Sequence, residues 1–221
     1  MSRARPDPGI GFVSPLILFD YDGVIADTRG MFQRAFREAC AGFGLERLAE
    51  EDAFLQVFED NMLAGLSSAG LREPDIPVFL GVLEQALNQA PLPPVFDGMT
   101  EVIRVLHRRF PLWIITSNVS AVIRPVLEQA GIASCFREIM GADVHPKKVE
   151  KIRCVRASFP ETTPAWYVGD TLGDLLEGSR AGCHTIAVTW GWHDRERLRR
   201  GQPARWVEEP SDLLRVFGVD T

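Results

Sequence analysis

Four short stretches carry side chains whose types and spacing could do chemistry. Asp20 and Asp22 stand two residues apart in Asp20-Tyr21-Asp22-Gly23-Val24, and Asp170 and Asp174 stand four apart in Gly169-Asp170-Thr171-Leu172-Gly173-Asp174. Thr116-Ser117-Asn118 is a polar triplet, and Lys147 and Lys148 are adjacent. Carboxylates brought together repel one another unless a cation lies among them. Oxygen ligands with no histidine or cysteine beside them point to Mg²⁺. A hydroxyl and an ammonium next to such a cation suit an anionic ligand.

The elements that must hold these residues can be read from their flanks. The apolar run Leu16 to Phe19 ends at Asp20, Leu112 to Ile115 ends at Thr116, and Ala165 to Val168 ends at Gly169-Asp170. Thr185 to Val188 repeats the pattern. Continuous runs of this length predict strands buried on both faces. Helical patterns lie between them, over Thr100 to Arg109, Ala121 to Ala130, Val149 to Ala157 and Asp174 to Ala181; Gly131 and Gly182 stop the second and the fourth. Lys147 and Lys148 lie on the connection after Ile139-Met140-Gly141 and His145-Pro146. Alternating strands and helices predict an α/β fold, a doubly wound, mostly parallel sheet. Ligands of such sheets sit at the carboxyl ends of the strands, where these residues fall.

Residues 28–94 break the alternation. Phe32, Ala35, Phe36 and Ala39, then Phe54, Val57, Phe58 and Leu63, then Phe79, Val82, Leu83 and Leu87 recur at helical spacing, and Pro91-Leu92-Pro93-Pro94 closes the segment. Three or so helices are expected, a small subdomain inserted after the first strand. The core is then 15–27 and 95–221, and 1–14, with Pro6, Pro8 and two glycines, reads as a flexible leader rather than a secretory signal.

Composition narrows the function classes. The 221 residues carry 24 Lys+Arg against 30 Asp+Glu, a net charge of −6, which disfavours a nucleic-acid partner. No apolar run of about 18 residues is present, so no membrane span is expected. Cys40, Cys135, Cys154 and Cys183 are far apart and read as reduced, mostly buried thiols of a cytoplasmic protein. His193 to Arg205 holds five Arg against Asp194 and Glu196, either a basic patch or a solvated helix face. Nothing in the sequence speaks for a particular oligomeric state.

The sequence resembles the haloacid dehalogenase superfamily, in its phosphoglycolate phosphatase-like and β-phosphoglucomutase-like branch. The resemblance rests on four motifs in order: Asp20-Tyr21-Asp22-Gly23-Val24, Ser117 followed by Asn118, a lysine at 147 or 148, and Gly169-Asp170-Thr171-Leu172-Gly173-Asp174. It spans 15 to about 217 and includes Gly191-Trp192-His193 and Arg195 to Leu198.

The resemblance implies a Rossmann-like core and a helical cap that selects substrate. It implies a phosphatase in which Asp20 forms an aspartyl phosphate and Asp22 serves as general acid, then base. Mg²⁺ would be held by Asp20, the backbone carbonyl of Asp22, and Asp170, with Asp174 orienting the metal shell or the lysine. Ser117 and Asn118 would bind the phosphoryl group at a helix start, with Thr116 the competing hydroxyl. Lys148, heading a helix, is favoured over Lys147 as the charge that screens it, and Lys151 is expected to be exposed.

Asp22 favours phosphate transfer over dehalogenation. The mutases of this branch place a histidine five residues after the counterpart of Asp27, where this sequence has Phe32. Hydrolysis is therefore expected over mutase chemistry, with a non-catalytic binding protein as the other class. Asp27 is expected to cap the first helix, and Trp190 and Trp192 to be packing residues. The insert has five Arg (29, 34, 37, 47, 72) and ten Asp+Glu but no Lys, so cap contacts to an anion would have to come from those arginines. The expected partner is a small phosphorylated metabolite.

Overall fold

A computed structural model describes residues 14–59 and 62–219. The expected leader therefore lies outside the described residues, Ser14 excepted. Strands β1 (Leu16–Phe19), β2 (Leu112–Ile115), β3 (Glu138–Met140), β4 (Ala165–Gly169), β5 (His184–Val188) and β6 (Arg205–Val207) form one parallel sheet in the order β3-β2-β1-β4-β5-β6. The chain fills one side of β1 and then the other, so the crevice between β1 and β4 is where the winding reverses.

All four residues of β1 are buried. Ile17 and Phe19 join the cluster holding Ile103, Leu106, Ile123 and Leu127, while Leu16 and Leu18 join Ile152, Val155 and Tyr167 on the other face. A strand covered on both sides has no polar face, hence its uninterrupted apolar sequence. β3 and β6 were not foreseen. Each is a three-residue edge strand that begins on an exposed charged residue, Glu138 or Arg205, so neither has a run long enough to read.

The covering helices follow the expected segments within two residues: α5 (Met99–His107), α6 (Ser120–Gln129), α7 (Lys148–Ala157) and α8 (Leu172–Arg180), with short α9 (Arg195–Arg199) and α10 (Asp212–Val216) near the C-terminus. Between β1 and α5 the insert holds α1 (Arg29–Ala41), α2 (Glu51–Val57), α3 (Met62–Ser68) and α4 (Ile76–Gln89), four α-helices among the described residues. Their phenylalanines form a separate core, Phe36 meeting Phe54 at 5.2 Å and Phe79 at 5.5 Å between ring centroids. Asp27 does not cap α1: Thr28 occupies the N-cap without a side-chain hydrogen bond, and Asp27 is exposed. Instead the Asp27 N–H donates to Pro94 O at 2.9 Å, and Phe96 N–H to Ile25 O at 3.0 Å, tying the two connections of the insert together.

The arginine-rich stretch after β5 is neither a patch nor a solvated face throughout. Arg197 pairs with Asp52 and, at 3.3 Å, with Glu59; Arg200 meets Glu59 at 2.7 Å. His193 is buried and bridges the two units. Its Nδ1 accepts the Leu172 N–H at 2.9 Å, which leaves the proton on Nε2 to donate to Leu55 O at 2.9 Å. Burial holds its pKa below the usual 6.5.

Candidate active site

β1 and β4 are adjacent and in register, Phe19 opposite Val168, and the Asp20 N–H donates to Val168 O at 2.9 Å. The residues just past their ends, Asp20 and Asp170, therefore emerge side by side. Gly23 turns the chain back above them with φ +74°, where a Cβ would stand 2.0 Å from Asp170 Oδ2. Only glycine fits a position that is both left-handed and this close to a neighbouring carboxylate.

Asp20, Asp170 and Asp174 present carboxylate oxygens within 4.8 Å of one another. Asp174 spends its oxygens on protein donors. Oδ1 accepts Lys148 Nζ at 2.6 Å and Tyr167 OH at 3.3 Å, and Oδ2 accepts the Thr171 N–H at 3.1 Å and Thr171 Oγ1 at 2.7 Å. The Thr171 contacts belong to the capping box that starts α8, so Asp174 is fixed by the helix it helps begin. Asp20 and Asp170 are less completely satisfied. Asp20 Oδ2 accepts Lys148 Nζ at 2.9 Å and Asp170 Oδ2 the Trp192 N–H at 2.7 Å, but Oδ1 of each is buried without a protein partner. Two such oxygens, on members of a trio whose carboxylates approach within 4.8 Å of one another, fit a hard cation. The Asp22 side chain stands outside the trio and is held by Asn118 Nδ2 at 3.3 Å.

Burial first, then the Asp174 charge, raises the Asp20 carboxyl to about 7 despite Lys148. Burial, then the charges of Asp174 and Asp20, push Asp170 well above the carboxylate range, and burial raises Asp22. Burial would raise Asp174 too, but the Lys148 charge and hydrogen bond outweigh it and hold it low. Lys148 in turn, though burial opposes its charge, is held well above its usual value by Asp174 and Asp20.

Of the two adjacent lysines, Lys148 reaches the carboxylates; Lys147 is the exposed N-cap of α7. Lys151 corrects the expectation of an exposed residue. It is buried, its Nζ donates to Thr116 O at 2.5 Å, and burial followed by the Lys148 charge lowers its pKa to about 8. Thr116, Ser117 and Asn118 line the same cavity as Asp20, Asp22 and Lys148. The hydroxyl of buried Thr116 accepts the Asn118 N–H at 3.0 Å, which leaves its proton to donate elsewhere, whereas Ser117 is exposed. Asp143, also unforeseen, accepts the N–H of Ser120 at 2.8 Å and fixes the start of α6 behind the triplet.

Residues 17–188 match the family described as haloacid dehalogenase-like hydrolase. The chain is 33% identical over 219 residues to "Probable phosphatase IndB" of Dickeya dadantii, covering 91% of this chain and 93% of that protein. It is 27% identical over 203 residues to "Phosphoglycolate phosphatase" of Synechococcus elongatus, covering 90% and 95%. Over 221 residues it is 27% identical to "Pyrophosphatase PpaX" of Oceanobacillus iheyensis, covering 91% and 96%. Among solved structures, a predicted phosphatase from Clostridium acetobutylicum superposes with a TM-score of 0.78 at 20% identity, covering 92% of this chain and 98% of that one, a likeness of fold.

Proposed function

The chain belongs to the haloacid dehalogenase-like hydrolases, and from that premise we propose that it is a Mg²⁺-dependent phosphatase acting on a small phosphomonoester through an aspartyl phosphate on Asp20. The observation that carries the reading is the pair of buried, unpartnered oxygens on Asp20 and Asp170, set beside an ammonium already shared by Asp20 and Asp174. Mg²⁺ held by Asp20, Asp170 and the main-chain carbonyl of Asp22 would neutralise the carboxylates and polarise the phosphoryl oxygens.

The chain's own groups supply the rest. Lys148 offsets charge on Asp20 and on the incoming phosphate, which two anions need in order to meet. A carboxylate oxygen of Asp20 attacks phosphorus as the ester P–O bond breaks, and the departing alcohol oxygen takes the proton of Asp22. Burial raises the Asp22 carboxyl, in the direction a general acid requires. As a carboxylate, Asp22 then removes a proton from water, whose oxygen attacks the same phosphorus. Inorganic phosphate leaves and Asp20 is regenerated. The free proton of Thr116 favours that hydroxyl over Ser117 as the side-chain donor to the phosphoryl group, with Asn118 holding Asp22 in place.

At the position where a mutase would need a proton shuttle, Phe32 packs against Trp192 at 5.2 Å and Phe58 at 5.7 Å, so hydrolysis is favoured over phosphate return. Cys40, Cys135 and Cys183, unpaired and buried, suit a reducing cytoplasmic setting. Phosphate release from p-nitrophenyl phosphate tests the reading. Wild type with Mg²⁺ should turn over, and chelation or Asp20→Asn should abolish activity; turnover indifferent to both would overturn it.

A further inference from the structure

The cavity above Asp20 has a volume of about 360 Å³. That is on the order of a dozen water volumes at about 30 Å³ each, room for a phosphoryl group plus roughly six to ten further heavy atoms. Its floor is polar and its roof is mostly apolar, with Glu84 and Asn88 of α4 the polar residues that the insert contributes. Phe58, Met62, Leu80 and Leu87 come down from the insert, Val122 stands on α6, and Trp192 closes the side. Among the described residues lining the cavity, Lys148 is the one cation, and it is committed to Asp20 and Asp174. The other charged lining residues, Asp22, Glu84 and Glu177 included, are acidic.

The arginines expected to meet an anion from above are elsewhere. None of Arg29, Arg34, Arg37, Arg47 and Arg72 lines the cavity; Arg29 pairs with Glu51 at 2.5 Å, Arg72 with Asp75 at 2.6 Å, and the other three are exposed. A second negative charge on the substrate would therefore lose its hydration against leucine, methionine and phenylalanine with no counter-charge. A buried polar group on this wall lacks a partner within the protein: the Trp192 indole Nε1–H has no acceptor. A neutral oxygen or a phosphoryl oxygen of a bound ester would satisfy it.

Resting on the phosphatase reading, we propose that the substrate is a phosphomonoester of an uncharged, largely apolar alcohol of about six to ten heavy atoms. The same chemistry makes phosphates that carry a second anionic group, such as the ester 2-phosphoglycolate and the anhydride pyrophosphate, poor substrates. In this respect the chain departs from what the names of its phosphoglycolate phosphatase and pyrophosphatase relatives say of those proteins.

The test compares kcat/KM for ethyl, butyl, hexyl and benzyl phosphate with 2-phosphoglycolate and pyrophosphate, all with Mg²⁺. Each buried methylene should raise kcat/KM by up to about fourfold, and hexyl phosphate should exceed both 2-phosphoglycolate and pyrophosphate by at least about tenfold. Leu87→Arg, which brings a cation to a half-buried wall position, should narrow that gap by about tenfold or more. In parallel, calorimetry on the wild-type protein compares methyl-, hexyl- and carboxymethylphosphonate, none of which can be hydrolysed. Tighter binding of hexylphosphonate supports the apolar subsite even if no ester is turned over, an outcome that would defeat the phosphatase reading alone. Rates and affinities flat with chain length, or 2-phosphoglycolate matching hexyl phosphate, would overturn the proposal.

Discussion

Replacing Lys148 by methionine removes the one ammonium that Asp20 and Asp174 share. The contacts are 2.9 and 2.6 Å, and the three side chains are only 8%, 6% and 0% exposed. Methionine keeps the unbranched stem and some of the packing, so the change isolates the charge. Breaking a buried ion pair from one side costs about 3–5 kcal/mol because the remaining charge has neither water nor partner. For a domain of this size each kcal/mol moves Tm by roughly 2–4 °C, so Lys148→Met should melt roughly 6–20 °C below wild type. Turnover of p-nitrophenyl phosphate at equal folded fraction should fall by about 10²–10³, the scale for removing one transition-state charge partner. Lys147→Ala is the control, expected within about 0.5 kcal/mol of wild type because that side chain is exposed. Adding Asp174→Asn to Lys148→Met should recover part of the stability, since it removes one of the stranded carboxylates. Urea and thermal unfolding with phosphate release decide the matter: wild-type stability and activity in Lys148→Met, or the same losses in Lys147→Ala, would refute the reasoning.

Two further outcomes follow from the geometry. In His193, burial holds the folded pKa below 6.5, so the unfolded chain takes up the proton more readily; this contribution to stability is complete above about pH 6.5 and is lost as pH falls below it. His193→Gln should cost about 1–2 kcal/mol in urea unfolding at pH 7.5, and its deficit relative to wild type should shrink toward pH 5.5; a deficit constant with pH would exclude His193 as the titrating group. Thr116→Val should lower kcat/KM by about 10²–10³, the range for losing one transition-state donor, while Ser117→Ala stays within a few-fold; the reverse order in the same assay would return the donor role to Ser117.

The strand-end residues were legible because a strand buried on both faces must be apolar until it leaves the sheet, so Asp20, Thr116 and Asp170 mark three exits. Motif order then fixed which chemistry to expect of them. The choice of Lys148 over Lys147 had a signal that went only partly used. Lys148, Lys151, Ile152 and Val155 fall at i, i+3, i+4 and i+7, one face of α7, and all four are buried. Reading Lys151 into that stripe would have predicted its burial. The contacts between insert and core had no such signal. Arg197 and Glu59 lie 138 residues apart, and no local pattern says that a charge on α9 will be answered by an acid beside α2. The phenylalanines of the insert likewise read as core, which Phe36, Phe54 and Phe79 are. That Phe32 and Phe58 also roof the cavity depends on how the insert is docked.

That docking gives the site its electrostatic character. Asp20, Asp22, Asp170, Asp174 and Glu177 gather around two buried ammoniums, Lys148 and Lys151, and Lys151 is spent on the carbonyl of Thr116. With more carboxylates than cations, the bare site repels a phosphate dianion, and after burial the same imbalance raises the Asp20 and Asp170 carboxyls. A divalent cation on the unpartnered oxygens would reverse the sign locally and leave the rest of the cavity lining without a further cation among the described residues. An apolar roof strengthens every charge interaction beneath it by excluding water. The same exclusion penalises any charge the substrate brings beyond the one phosphate the floor can neutralise. On the proposed reading, catalytic strength and selectivity against anionic alcohols would have one physical source, the apolar side chains that the insert and Trp192 lay over Asp20.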